Sequence, residues 1–169
     1  VAFLIYAAMQ KPSFDQAFEV LEQSARGLIY HHLADAGGNI AGLESVYDGC
    51  TVLKPRRGVL VHANHYETGD YAGEDGARTY IADSFQRAPR LRRLIDQHYG
   101  DLTPEIMMTL MADHEGHPTS ICRHIDPAQP PELASRSTAS LIMVPAERKI
   151  YLSSGPPCES EYQTYTLSS

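Results

Sequence analysis

The stretch Leu28-Ile29-Tyr30-His31-His32-Leu33-Ala34-Asp35-Ala36-Gly37-Gly38-Asn39-Ile40-Ala41-Gly42-Leu43-Glu44-Ser45-Val46 decides the class of fold. Two β-like runs, Leu28 to Ala34 and Asn39 to Val46, flank the Gly-rich turn Asp35-Ala36-Gly37-Gly38, which predicts a hairpin. His31 and His32 fall on opposite faces of the first run, one inward and one outward, and take no role. Upstream, Ser13 and Gln16 form a capping-box pattern. Phe14, Ala17, Phe18 and Leu21 recur at helical spacing, so residues 14–25 read as an amphipathic helix closed by Gly27. The apolar run Val1 to Met9 is too short for periodicity to choose between helix and strand.

Downstream, Cys50 to Leu53 and Gly58 to Ala63 flank Lys54-Pro55-Arg56-Arg57 and predict a second hairpin. Gly69 to Gly76 reads as a loop rich in Gly and Asp. Two helices follow, Arg78 to Gln86 and Arg90 to Tyr99, separated at Pro89. Leu91, Leu94, Ile95 and His98 share one face, and Gly100 closes the second helix. Thr103 as N-cap and Pro104 at the first helical position open another helix, running to about Ala112 with Ile106, Leu110 and Met111 on its apolar side. Thr119 to His124 is a short β candidate, Asp126 to Pro131 a loop, and Thr138 to Val144 with Lys149 to Ser153 a last hairpin. The tail after Gly155-Pro156-Pro157 reads as irregular. Helices and strands are segregated rather than alternating, which predicts an α+β fold, a single domain over 1–169 with a mostly antiparallel sheet covered by helices.

Composition narrows the function classes. The chain has 169 residues, 43% hydrophobic and 21% charged, which is globular composition. A net charge of −7 and scattered Lys and Arg argue against a nucleic-acid partner, which needs a basic stripe. The densest basic run, Arg87 to Arg93, contains Pro89 and apolar residues and reads as a solvated helix face. Three cysteines at irregular spacing, Cys50, Cys122 and Cys158, make no disulfide framework and suit free thiols in a reducing cytoplasm. No apolar run approaches the ~18 residues of a membrane span, so no membrane partner is expected. Val1 to Met9 lacks the basic flank and cleavage site of a signal peptide. The chain opens inside that apolar run without an initiating Met, which hints at a fragment, a processed chain or a trimmed one.

Several clusters carry polar chemistry. In Val59-Leu60-Val61-His62-Ala63-Asn64-His65-Tyr66 a β-run ends in polar residues, and Asn64 there could offer an amide N–H to a developing oxyanion. The plainer reading is an Asn that bonds its own backbone in a turn. Asp113-His114-Glu115-Gly116-His117-Pro118-Thr119-Ser120-Ile121-Cys122-Arg123-His124 gathers acids, imidazoles, a thiol and a guanidinium. Its spacing matches no standard zinc pattern, and His62 and His65 would point to opposite faces of a strand, so no metal and no cofactor are assigned. A Cys122–His114 nucleophile pair lacks any Cys-protease signature, and Cys122 in a β-like run reads as core. Ser135-Arg136-Ser137-Thr138 reads as polar residues at a strand entry.

Four segments, in order, resemble the C-terminal half of the peptidase C45 family, the acyl-CoA:6-aminopenicillanic acid (isopenicillin N) acyltransferase-like proteins. They are Leu33-Ala34-Asp35-Ala36-Gly37-Gly38 leading to Gly42-Leu43-Glu44; Leu60-Val61-His62-Ala63-Asn64-His65; Asp113-His114 with Ser120-Ile121-Cys122-Arg123-His124; and the hairpin ending at Gly155-Pro156-Pro157. The second and third are the specific ones. The resemblance implies a partial αββα sandwich of the N-terminal-nucleophile (Ntn) hydrolases. It also implies a precursor that cleaves itself before a cysteine, whose thiol then attacks an amide or acyl-CoA thioester with its own α-amino group as base. It carries the oxyanion-hole role to Asn64 and a late-strand serine role to Ser135 or Ser137, and it places His65, Asp113, His114 and Arg123 on the substrate side. Ala63 stands where the family has Thr; both are small, so the backbone role survives.

The family's nucleophile lies upstream of this region, so the resemblance implies an acyltransferase or amidohydrolase completed by the N-terminal half of the same precursor. The isolated chain is then expected to be inactive and, with a sheet edge open, to form homo-oligomers. Two other readings stay open on the sequence: a non-catalytic structural or ligand-binding module, and a metal-dependent hydrolase using His62, His65 and His114.

Overall fold

The computed structural model describes residues 2–24, 27–68 and 76–168. Its contacts divide into two compact units, Val1–Leu60 with Tyr66–Asp75, and Val61–His65 with Gly76–Ser169. The expected loop at Gly69 to Gly76 lies outside the described residues except for Gly76.

In the first unit the apolar opening run is a helix, α1 (Ala2–Met9), followed by α2 (Phe14–Ser24). Ser13 Oγ accepts the Gln16 amide at 3.4 Å, as the capping pattern predicts. β1 (Ile29–Ala34), β2 (Ile40–Val46) and β3 (Gly49–Leu53) form an antiparallel sheet in that order. The β1–β2 turn is held by Asp35, whose carboxylate accepts Gly37 N, Asn39 N and Asn39 Nδ2 at 2.9–3.0 Å. Gly38 supplies the positive φ of 84° that the turn needs. Ala8, Ala17, Leu21 and Leu43 form the core between helices and sheet, with Phe18, Leu33 and Cys50 against it. His31 is buried and His32 exposed, as the alternation predicts. Burial lowers the His31 pKa and favours its neutral form.

The central strand β2 buries two polar residues, Glu44 and Ser45. Glu44 answers its burial by accepting Glu67 N at 2.6 Å, Thr68 N at 3.1 Å and Thr68 Oγ1 at 2.6 Å. Ser45 O accepts Tyr66 Oη–H at 2.6 Å. The second predicted hairpin does not form. β3 pairs instead with β2 through the tight turn after Val46, and the segment from Gly58 onward contributes one bridge, Arg56 to Val59. Positive φ at Arg57 and Gly58 makes the two-residue turn that this bridge closes, and the chain leaves the ladder directly beyond it.

The second unit contains α3 (Ala77–Tyr80), α4 (Ser84–Gln97) and α5 (Pro104–Met111), then β4 (Ser140–Val144), β5 (Lys149–Ser153) and β6 (Tyr162–Thr166). The helix break expected at Pro89 falls earlier, at Ile81 to Asp83, and α4 runs through the proline. Pro89 is exposed, so its ring faces solvent, while Ser84, Ala88, Leu94 and Ile95 bury the opposite side. Burial of that face outweighs the lost backbone hydrogen bond. Thr103 caps α5 by accepting Ile106 N at 3.3 Å.

Thr119 to His124 forms turns, not a strand. Its backbone bonds run inward, from Cys122 N to Asp113 O at 3.1 Å and from His124 N to Pro118 O at 2.8 Å. The tail read as irregular contains β6, which pairs with β5 to give the antiparallel order β4-β5-β6. Ser140, Ser153 and Tyr162 stand side by side across this sheet. Ser153 Oγ accepts Ser140 N at 3.0 Å, and Tyr162 Oη–H reaches Ser140 Oγ at 2.6 Å. The class is α+β with antiparallel pairing throughout the described strands, in keeping with a partial sandwich. No helix among the described residues is long and apolar enough to cross a membrane.

Candidate functional site

The polar end of residues 61–65 is anchored on α4. The strand expected to end at Asn64 is absent: the segment is extended chain with a bend at Asn64 and His65, bonded to α4 instead of to a sheet. Arg92 Nη2 donates to Val61 O at 3.3 Å. Ser84, fully buried at the start of α4, accepts Asn64 N at 2.7 Å, and its Oγ lies 2.7 Å from His65 Nδ1. The His65 ring stacks on Phe85 at 4.1 Å between centroids, and Arg78 covers the Phe85 ring at 4.3 Å.

The Asn64 side chain is exposed and held at one end. Arg87 Nη2 donates to Oδ1 at 2.6 Å. That bond fixes which way the amide faces and leaves Nδ2, a double donor, free of partners among the described residues. Arg87 is fixed in turn by Asp83, Nε to Oδ2 at 2.6 Å, and the same Asp83 oxygen lies 3.4 Å from Arg123 Nε. Arg123 N donates to Ser137 Oγ at 3.0 Å, and Ser137 N to Arg123 O at 3.0 Å. A chain of contacts therefore joins Asn64, Arg87, Asp83, Arg123 and Ser137. Asp83 also lines a cavity of about 310 Å³ whose walls include Tyr80, Gln86, Thr119, Gln129 and Leu133; Asn64 does not line it.

Of the two serines, Ser137 is half-buried in this chain of contacts and Ser135 is exposed outside it. Neither opens a strand, since β4 begins at Ser140. Asp113 lies elsewhere in the unit, pairing with Arg90 at 2.6 and 3.0 Å. The Arg90 guanidinium holds the Asp113 carboxyl below the usual carboxylate range, and Arg90 also reaches Glu115 at 2.7 Å.

His114 belongs to a second cluster. Its Nε2 lies 3.0 Å from His124 Nε2, and His124 Nε2 lies 3.7 Å from Cys122 Sγ and 3.4 Å from Cys158 Sγ. The two sulfurs are 3.4 Å apart and both thiols are free. One ligand atom from each of these four residues falls within 4.8 Å of every other, and neither His62 nor His65 belongs to the group. Cys122 is fully buried, and burial, with Cys158, pushes its thiol up to about 11, opposite to what a nucleophile needs.

Sequence reasoning missed Ser84, Asp83, Arg87 and Cys158. Ser84, Asp83 and Arg87 sit at i and i+3 or i+4 spacing around the first turn of α4, a signal hidden by placing a helix end at Gln86. Cys158 is 36 residues from Cys122, so local spacing carried no trace of their meeting.

No curated protein matches the chain. The family profile described as acyl-coenzyme A:6-aminopenicillanic acid acyl-transferase matches residues 3–158, nearly the whole sequence. The match takes in the Asn64 segment, the α4 contacts and the His–Cys cluster alike, and on it the chain belongs to the acyl-coenzyme A:6-aminopenicillanic acid acyl-transferase family.

Proposed function

We propose that this chain forms the oxyanion-stabilising part of an Ntn-type acyltransferase or amidohydrolase acting on amide bonds or acyl-CoA thioesters. Family membership supports the reaction class. The observation that carries the residue assignment is the Asn64 amide: Arg87 holds its carbonyl end at 2.6 Å, which leaves the NH2 end to donate.

In this reading a cysteine outside the 169 residues is the nucleophile, supplied by the N-terminal half of the same precursor. The three cysteines of the chain are poorly placed to attack a carbonyl. Cys50 Sγ is tied to Glu22 O at 3.6 Å, Cys122 is fully buried, and Cys158 faces Cys122 and His124. The α-amino group of the nucleophile takes its thiol proton as sulfur attacks the carbonyl carbon. The carbonyl oxygen becomes an oxyanion, and Asn64 Nδ2–H donates to it. The intermediate collapses to an acyl-cysteine thioester; the leaving amine or CoA thiolate takes the proton. Water or a second amine then attacks the thioester by the same route in reverse. Arg123 and Ser137 sit at the far end of the contacts that hold Asn64, and His65 beside it, where they shape the substrate's surroundings.

The test is Asn64→Ala in the complete precursor, assayed for acyl-CoA cleavage with and without an amine acceptor. A drop in kcat of about 100-fold or more, with KM changed little, is expected. An unchanged kcat would leave a non-catalytic role as the better description.

A further inference from the structure

We propose that His114, Cys122, His124 and Cys158 bind one zinc ion as a closed structural site. Two thiols and two imidazoles are the donor set that zinc takes in such sites. Bonds of ~2.3 Å to sulfur and ~2.0 Å to nitrogen at tetrahedral angles give ligand edges of about 3.8 Å between sulfurs, about 3.5 Å between sulfur and nitrogen and about 3.3 Å between nitrogens. The distances in the protein are 3.4 Å between sulfurs, 3.4 and 3.7 Å from sulfur to His124 Nε2, and 3.0 Å between nitrogens. Each of these four lies within about half an ångström of the required edge, and the remaining two edges, from His114 to the sulfurs, lie within 4.8 Å.

Hydrogen bonding alone accounts badly for this convergence. His124 Nε2 has either one lone pair or one N–H, yet three potential partners surround it. A cation at the common centre satisfies all four groups at once. The surroundings also suit a ligand. His124 Nδ1 lies 3.5 Å from Glu159 Oε1, which places a carboxylate behind the ring on the side away from Nε2. Cys122 and His124 are set by backbone bonds to Asp113 O and Pro118 O, and Ser120 Oγ–H holds Cys122 O at 2.6 Å. Four protein ligands leave no open position, so the ion's effect is to tie the turns after α5 to the β5–β6 connection. On binding, each thiol releases its proton to solvent and nothing is oxidised or reduced. Arg123 lies between two ligands, so the ion also steadies the backbone from which it reaches Asp83.

The experiment uses the full-length protein, reduced and stripped with chelator, titrated with Co²⁺ alone and then with Zn²⁺. One Co²⁺ per chain is expected, with a near-ultraviolet thiolate-to-cobalt charge-transfer band and intense tetrahedral bands in the red, all abolished by one equivalent of zinc. Cys158→Ser and His114→Ala, at exposed positions, are expected to fold by circular dichroism and to lose at least 100-fold in affinity. Glu159→Gln loses about 10-fold, and Cys50→Ser loses nothing. No cobalt uptake by the reduced protein, uptake indifferent to positions 114 and 158, or a Cys122–Cys158 disulfide in protein isolated without air would each overturn the proposal.

Discussion

Replacing Arg87 with Gln tests whether Asn64 is a held donor or a surface residue. Arg87 touches Asn64 Oδ1 at 2.6 Å and has no part in the proposed chemistry, so any catalytic effect should travel through the amide. Without it the Asn64 side chain regains a broad, two-fold terminal torsion in which the donor and acceptor ends exchange places. Half of that population presents oxygen to the oxyanion, and much of the rest points elsewhere. About 10-fold in kcat is expected, or ~1.4 kcal/mol. Asn64→Ala removes the donor entirely, for about 100-fold or ~3 kcal/mol. If Arg87 acts through Asn64, the double variant is no worse than Asn64→Ala alone, a coupling of ~1.4 kcal/mol. The assay is kcat at saturating substrate for acyl transfer by the complete enzyme, with melting temperatures alongside, because Arg87→Gln also leaves the nearly buried Asp83 with Arg123 alone at 3.4 Å. Losses that multiply to about 1,000-fold in the double variant, or a single Arg87→Gln variant with full kcat, would refute the reasoning.

Two further predictions concern stability. Glu44→Gln replaces a buried acceptor of three hydrogen bonds with an amide that must set its NH2 against a backbone N–H, of Glu67 or of Thr68, and the expected cost is about 2–3 kcal/mol in urea unfolding; an unshifted midpoint would count against the clamp. Arg90 lowers the folded-state pKa of Asp113, so the pairing stabilises fully above the ordinary carboxylate value, about 3.9, and is lost as pH falls through the lowered folded value. Wild type should therefore exceed Asp113→Asn in stability at neutral pH and converge with it in strong acid. A gap of equal size at both ends of the pH range would contradict this.

Local chemistry was legible in the sequence wherever it was sufficient. The Asp35 turn, the Ser13 cap and the Thr103-Pro104 helix start each depend on residues within four positions of one another, and each formed as read. The alternation of His31 and His32 held along the edge strand β1, where His31 is buried and His32 exposed, while β2 beside it is buried on both faces. What failed was decided at longer range. β6 exists because β5 offers it an edge, although Tyr162–Thr166 is mostly exposed and has no apolar stripe to announce it. Pro89 stayed inside α4 because the buried face opposite outweighs one missing bond. Residues 61–65 have the apolar start of a strand but take their partners from a helix. The site was half visible: Asn64 was marked by its motif, whereas the groups that aim it come from a different element.

The row of hydroxyls across the second sheet limits how its strands can be mispaired. Ser140 and Ser153 are almost fully buried, and the bonds from Ser140 N to Ser153 Oγ and from Tyr162 Oη–H to Ser140 Oγ form only where the three residues align, whereas Ser153 also donates to Gly155 O at 3.1 Å. A slip of two residues would keep every side chain on its proper face, so apolar patterning alone does not forbid it. Such a slip would strand the Ser140 hydroxyl away from water and separate the Tyr162 phenol from its acceptor. Two small polar contacts thus discriminate against a frameshifted sheet that the hydrophobic residues alone would accept.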